Sequence, residues 1–206
     1  MSALESAAVQ VIVPLKAVPS GKTRLTAALE PARRERLIGT MLQAVLECLQ
    51  RVRGIAAVSV LTPDARALPA GTAHLADAGL ELNLALAQEA RRLRSSDAPY
   101  LLVLAADVPL ATPQEVEALL AARAAGALIA APDWRNSGTN ALLWHLRHPL
   151  TPCFGAQSLA AHAQLAQQLG LEFLTVRRPG LAFDVDEPEQ LAGLRRRGGA
   201  RYGFLG

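Results

Sequence analysis

The residues best suited to chemistry in this chain fall into two groups, one basic and one acidic. The basic group is the run Lys16-Ala17-Val18-Pro19-Ser20-Gly21-Lys22-Thr23-Arg24, which holds the only two lysines among 21 basic residues. A chain that uses arginine everywhere else keeps its compact ammonium groups for one loop. There they can act as point charges for phosphate beside the bidentate fork of Arg24. Gly21-Lys22-Thr23 matches only the end of a P-loop, because Lys16 stands where that motif needs its first glycine.

The acidic group consists of Asp107, which follows the apolar run Tyr100 to Ala106, and the pair Asp184-Val185-Asp186. In an extended segment the i, i+2 spacing turns both carboxylates of the pair to one side. Each acid also has a plainer reading, Asp107 as a turn residue and Asp186 as a helix cap. Grouped together they need a partner, since two like charges about 4 Å apart repel by about 4 kcal/mol at an effective dielectric near 20. A divalent cation removes that cost. Mg²⁺ fits better than zinc, because it takes one or two carboxylates and completes its shell with water and phosphate oxygens. His74, His145, His148 and His162 show no zinc-ligand spacing and read as structural or surface groups. A last set of small polar residues, Gly138-Thr139 and Gly155 with Ser158, offers backbone amides and hydroxyls to an anion, Ser158 from a helix N-terminus.

These residues need strands to carry them. Val9 to Leu15, Val58 to Thr62, His74 to Ala76, Tyr100 to Ala106, Ala127 to Ala131, Asn140 to Trp144 and Glu172 to Val176 read as strands, most of them β-branched or continuously apolar. Helices are expected from Pro31 to Gly54, Glu81 to Arg94, Thr112 to Ala125, Ser158 to Leu169 and Glu187 to Arg196. The third has the N-terminal signature Thr112-Pro113 with Glu115. Strands and helices alternate, which predicts a single domain over residues 1–206 of α/β class: a doubly wound, mostly parallel, Rossmann-like sheet with helices on both faces. Ligands then lie at the carboxyl ends of the strands. Arg195-Arg196-Arg197-Gly198-Gly199 reads as a solvated helix end followed by a loose tail.

Half of the chain is apolar and only 4% aromatic, and its net charge of +3 is dispersed along helix faces, which favours small anionic substrates over nucleic acid. No apolar run approaches the roughly 20 residues of a membrane span and no signal peptide is visible, so a soluble cytoplasmic protein without a membrane partner is expected. Cys48 lies on the apolar face of a helix and reads as a small hydrophobe, with both thiols reduced. Nothing in the composition marks an oligomeric state.

The order of the motifs is more specific than any one of them: Val-Pro-Leu-Lys with Lys-Thr-Arg-Leu, Ala-Ala-Asp-Val-Pro-Leu, Gly-Thr-Asn-Ala-Leu, Phe-Gly-x-x-Ser and Asp-Val-Asp-Glu-Pro. From about Val9 to Leu194 the chain resembles the 2-phospho-L-lactate guanylyltransferase family, whose bacterial members use phosphoenolpyruvate or 3-phospho-D-glycerate in coenzyme F-420 biosynthesis. The resemblance implies a nucleotidyltransferase fold, GTP and a small phosphorylated carboxylic acid as substrates, and hand-over of the product to the next pathway enzyme. It implies Asp107, Asp184 and Asp186 as Mg²⁺ ligands, and Lys16, Thr139, Gly155 and Ser158 as the cradle of the acceptor phosphate. Lys22 and Arg24 face the GTP phosphates, so that Lys16, Lys22 and Asp107 form the catalytic set. The family often has Gly-Leu-Asn where this chain has Glu81-Leu82-Asn83, and Asn83 is the matching base or ribose contact. Two other readings share these features: a related nucleotidyltransferase acting on a sugar phosphate or molybdopterin, and a GTP-binding module without catalysis.

Overall fold

A computed structural model describes residues 8–16, 22–77 and 79–206. Residues 17–21 of the basic loop, Gly21 among them, lie outside the described residues.

Seven strands form one sheet: β1 (Val9–Pro14), β2 (Ile55–Leu61), β3 (Ala73–Leu75), β4 (Tyr100–Leu104), β5 (Ala127–Pro132), β6 (Thr139–His145) and β7 (Glu172–Thr175). Their order is β3-β2-β1-β4-β6-β5-β7. All pairings are parallel except those of β6, which runs antiparallel to both β4 and β5. The short polar link between β5 and β6 forces this, because a parallel return needs a crossover of a dozen or more residues. The expected doubly wound, mostly parallel sheet is thus present, with one reversed strand next to its centre.

Among the described residues there are five α-helices: α1 (Pro31–Leu49), α2 (Leu82–Leu93), α3 (Pro113–Ala121) and α4 (Ser158–Gln168), which pack on the sheet, and α5 (Pro188–Arg197), which packs beside it. β4 is buried along its whole length, and its alternation divides the core. Leu102 and Leu104 pack with Val45 and Leu49 of α1 and Leu119 of α3. Leu101 and Val103 pack with Leu86 of α2 and Ala166 of α4. Cys48 belongs to the first of these cores, and burial pushes its thiol up to about 11, as expected of a packed hydrophobe.

A third apolar cluster does most to position the loops. Leu25, Leu37, Met41, Val185, Leu191, Leu194, Tyr202 and Leu205 pack together. The supposed loose tail is therefore wrong: Gly199–Leu205 forms a 3-10 helix that buries Tyr202 and Leu205. Arginines of neighbouring helices lay their flat faces on rings beside this cluster, Arg197 of α5 4.7 Å from the Phe183 ring centroid and Arg36 of α1 4.2 Å from that of Phe204.

The segment leading to Asp184 is braced from α3. Thr112 and Glu115 form the expected capping box, and Glu115 Oε1 also accepts the Gly180 amide at 2.7 Å. A Cβ on Gly180 would meet Glu115 Oε2 at 2.2 Å and the Leu110 carbonyl oxygen at 2.3 Å. Gly180→Ala is therefore expected to destabilise the protein by about 2 kcal/mol and to lower activity with it, as measured by denaturant unfolding alongside turnover. Unchanged stability would show that this approach is not a constraint.

Candidate active site

At the carboxyl ends of β1 and β4 lies a cavity of about 680 Å³, with Lys16, Lys22, Arg24, Asp107, Thr139 and Asp186 in its wall. Its size suits a nucleotide with a small second ligand. Asp77, Leu80 and Leu82 also line it.

Lys22 organises the centre. Its Nζ donates to Asp107 Oδ2, and to Asp186 Oδ1 at 2.5 Å. Burial opposes the charge on this ammonium, but the two carboxylates outweigh it, Asp107 first, and its pKa is raised. The backbone holds Lys22 in the left-handed region, with φ of 54°. Strain of this kind in a non-glycine residue persists where the surroundings fix it. Leu25, fully buried three residues on in the third cluster, supplies that anchor.

The acids are set by two contacts between distant segments. The Val185 amide donates to the Asp107 carbonyl at 3.1 Å, and the Val185 side chain is fully buried in the same cluster as Leu25. With Val185 turned inward, the carboxylates on either side of it turn out toward Asp107 and Lys22. Asp186 is no cap, because Glu187 takes the N-cap position of α5 and its amide donates to Gln190 Oε1 at 2.9 Å. Asp184 accepts from Asn140 Nδ2 at 3.2 Å. Burial first, and then the like charge of Asp107, push its carboxyl up to about 6.

Among the described residues no three His, Cys, Asp or Glu side chains stand close enough to hold a metal ion by themselves. The donor set nonetheless suits Mg²⁺. Two of the carboxylates already hold a cation, the Lys22 ammonium, and Mg²⁺ draws its remaining ligands from water and phosphate.

Other expected residues lie at different depths. Lys16 is exposed at the cavity wall. Arg24 is 70% exposed and lies 3.7 Å from Glu187, which also pairs with Arg135 at 2.6 Å. Thr139 is buried, and its Oγ1 lies 3.0 Å from His162 Nδ1. Phe154 forms part of the wall, whereas Gly155, at φ of 140° and exposed, and Ser158, buried at the start of α4, follow it outside the wall. Asn83 is committed elsewhere in this structure: its Nδ2 donates to the Phe154 carbonyl at 3.0 Å and its Oδ1 accepts the Phe154 amide at 2.8 Å. It braces the loop before Gly155. The anion expected at Gly138 is supplied by the loop itself, since Asp133 accepts from the Ser137 amide at 2.8 Å and a Cβ on Gly138 would meet its Oδ2 at 2.9 Å.

Sequence reasoning missed Asn140, while His162, read as a structural or surface group, is buried and bonded to Thr139 and the Cys153 amide. Asn140 follows Thr139 directly, a signal that was available, since a buried amide beside an acid calls for a hydrogen-bond role.

Solved structures of nucleotidyltransferases share this fold. The chain is similar to a putative nucleotide-diphospho-sugar transferase from Desulfovibrio desulfuricans, with a TM-score of 0.78 and 17% identity, covering 96% of this chain and 93% of that one. It is also similar to a CMP:2-keto-3-deoxy-manno-octonic acid synthetase complexed with CTP, with a TM-score of 0.61 and 18% identity, covering 92% and 98%. Phosphoenolpyruvate guanylyltransferases are nearer in sequence: that of Rubrobacter xylanophilus is 39% identical across 93% of this chain and 95% of its own length, and that of Chloroflexus aggregans 35% across 88% and 94%. A family model described as guanylyl transferase CofC like matches residues 9–203, and the chain belongs to that family. It is an enzyme of guanylyl transfer.

The raised carboxyl of Asp184 predicts a trade of stability against function. Asp184→Asn keeps an acceptor for Asn140 and removes a half-buried charge, so at about pH 7.5 the ligand-free variant should be more stable by about 1–2 kcal/mol. Paired denaturation curves check this, and a variant no more stable than the parent contradicts it.

Proposed function

We propose that this enzyme moves GMP from GTP onto the phosphate of a three-carbon phosphorylated acid and releases pyrophosphate, as a step of coenzyme F-420 biosynthesis. The acid is phosphoenolpyruvate, 2-phospho-L-lactate or 3-phospho-D-glycerate, and the names of the relatives favour the first. The observation that carries the reading is the Lys22 ammonium held by Asp107 and Asp186, in a cavity whose wall also presents Lys16 and Thr139. Basic and acidic groups in one cavity wall suit the joining of two phosphates.

The chemistry needs no protein nucleophile. An oxygen of the acceptor phosphate forms a bond to the α-phosphorus of GTP while the bond from that phosphorus to the bridging oxygen of pyrophosphate breaks. The acceptor oxygen is already deprotonated near neutral pH, so no general base is called for either. What the chain must supply is position and charge. Lys22 leaves its carboxylates to hold the GTP phosphates, with Arg24 beside it at the mouth. Lys16, Thr139 and the segment Phe154 to Ser158 hold the acceptor phosphate and align its oxygen with the phosphorus. Asp107, Asp184 and Asp186 would hold Mg²⁺, which when bound offsets the charge gathering on the reacting phosphates. The labile product would then pass to the next enzyme of the pathway.

Pyrophosphate release from GTP and Mg²⁺ with each acid tests the proposal, and release with a sugar phosphate but with none of the acids contradicts it. The two lysines should separate. Lys16→Ala is expected to raise KM for the acid about tenfold with KM for GTP within about twofold, whereas Lys22→Ala lowers kcat by about a hundredfold. The opposite KM pattern would exchange their roles.

A further inference from the structure

His162 is fully buried on α4, one turn after Ser158, and its two ring nitrogens face different partners. Nε2 lies 2.9 Å from the Cys153 amide nitrogen, and Nδ1 lies 3.0 Å from Thr139 Oγ1. An amide N–H can only donate, so Nε2 is the unprotonated nitrogen. The ring proton therefore sits on Nδ1 and is donated to Thr139. A charged imidazolium would set an Nε2–H against the Cys153 N–H, and burial keeps the ring neutral by lowering its pKa to about 4. The Phe154 ring packs edge-on against it, with centroids 5.1 Å apart.

A threonine hydroxyl has one proton and can also accept. Once its oxygen accepts from His162, its own proton is released for another acceptor. Thr139 is buried but lines the cavity, and its β-branched side chain has little rotameric freedom. We infer that His162 is a positioning residue: by donating from Nδ1 it fixes the polarity of the Thr139 hydroxyl, turning the hydroxyl proton into the cavity as a donor to the acceptor phosphate. The inference rests on the assignment of Thr139 to that phosphate. It gives the second histidine bond a purpose as well, since the Cys153 amide sets the tautomer from the far side of the ring.

Two substitutions separate the ring's two bonds. His162→Asn puts an amide donor near the Nδ1 position, and His162→Gln puts an acceptor near Nε2. With wild-type and variant unfolding temperatures as a control, His162→Gln should raise KM for the acid about tenfold with KM for GTP within about twofold, and His162→Asn should raise it less than about threefold. In a Thr139→Val background the effect of His162→Gln should shrink to within about twofold, because the hydroxyl it acts through is gone. Additive effects in that cycle, or equal rises in both KM values, overturn the inference. Side-chain ¹⁵N NMR of the wild-type protein decides the geometry even where a variant fails to fold. A neutral Nδ1–H ring from about pH 5.5 to 8 is expected, and an Nε2–H or charged ring overturns it. A wild-type enzyme silent with every phosphorylated acid would sink the proposed function and this inference together, whereas an active enzyme with a flat cycle sinks only the role of His162.

Discussion

Two carboxylates from distant stretches of chain, Asp107 and Asp186, meet beyond the end of β4, and like charges so placed need a cation between them. Lys22 meets that need in the ligand-free protein by reaching Asp107 and Asp186 at once. Asp184 has no direct share of the ammonium, and burial first, then the like charge of Asp107, push its carboxyl up to about 6. The centre is thus arranged for more positive charge than the protein itself provides. A site of this kind suits a reaction in which anionic phosphates must be brought together and their charge offset.

Hydrophobic packing holds this charge in place. Leu25 and Val185 enter one apolar cluster with Leu191, Leu194, Tyr202 and Leu205, so the loop of Lys22, the loop of the paired aspartates and the C-terminal segment share one foundation. The Val185 amide then ties that foundation to β4 through the Asp107 carbonyl. On the opposite side, Asn83 and His162 fix the backbone on either side of the Cys153–Phe154 bond, and Thr139 lies between this brace and the acids.

Much of this was legible in the sequence, because the strands are short apolar runs and Asp107 follows closely on one of them. The capping box at Thr112 and the buried Cys48 were legible for the same reason: each depends on neighbours a turn away. The reversed direction of β6 was legible only in the short link before it, since a strand buried on both faces has the same continuous apolar pattern whichever way it runs. The C-terminal segment was misread because its arginines and glycines suggest solvent, while its burial depends on Tyr202 and Leu205 meeting a helix that starts at Pro31. The roles of Asn83, Asn140 and His162 depend on partners 71, 44 and 23 residues away, and no local pattern records such a pairing. The lysines were legible as a rarity of composition, but the contact of Lys22 with both acids appears only in three dimensions.

Linkage tests whether the carboxylates receive a cation together with the nucleotide. Calorimetric affinity for a non-hydrolysable GTP analogue would be measured with Mg²⁺ and with a chelator, in the wild-type protein and in an Asp107→Asn, Asp184→Asn double variant. Mg²⁺ is expected to tighten binding to the wild-type protein at least about tenfold, and the double variant to lose most of that gain. Equal affinity with and without Mg²⁺ in the wild-type protein would contradict it.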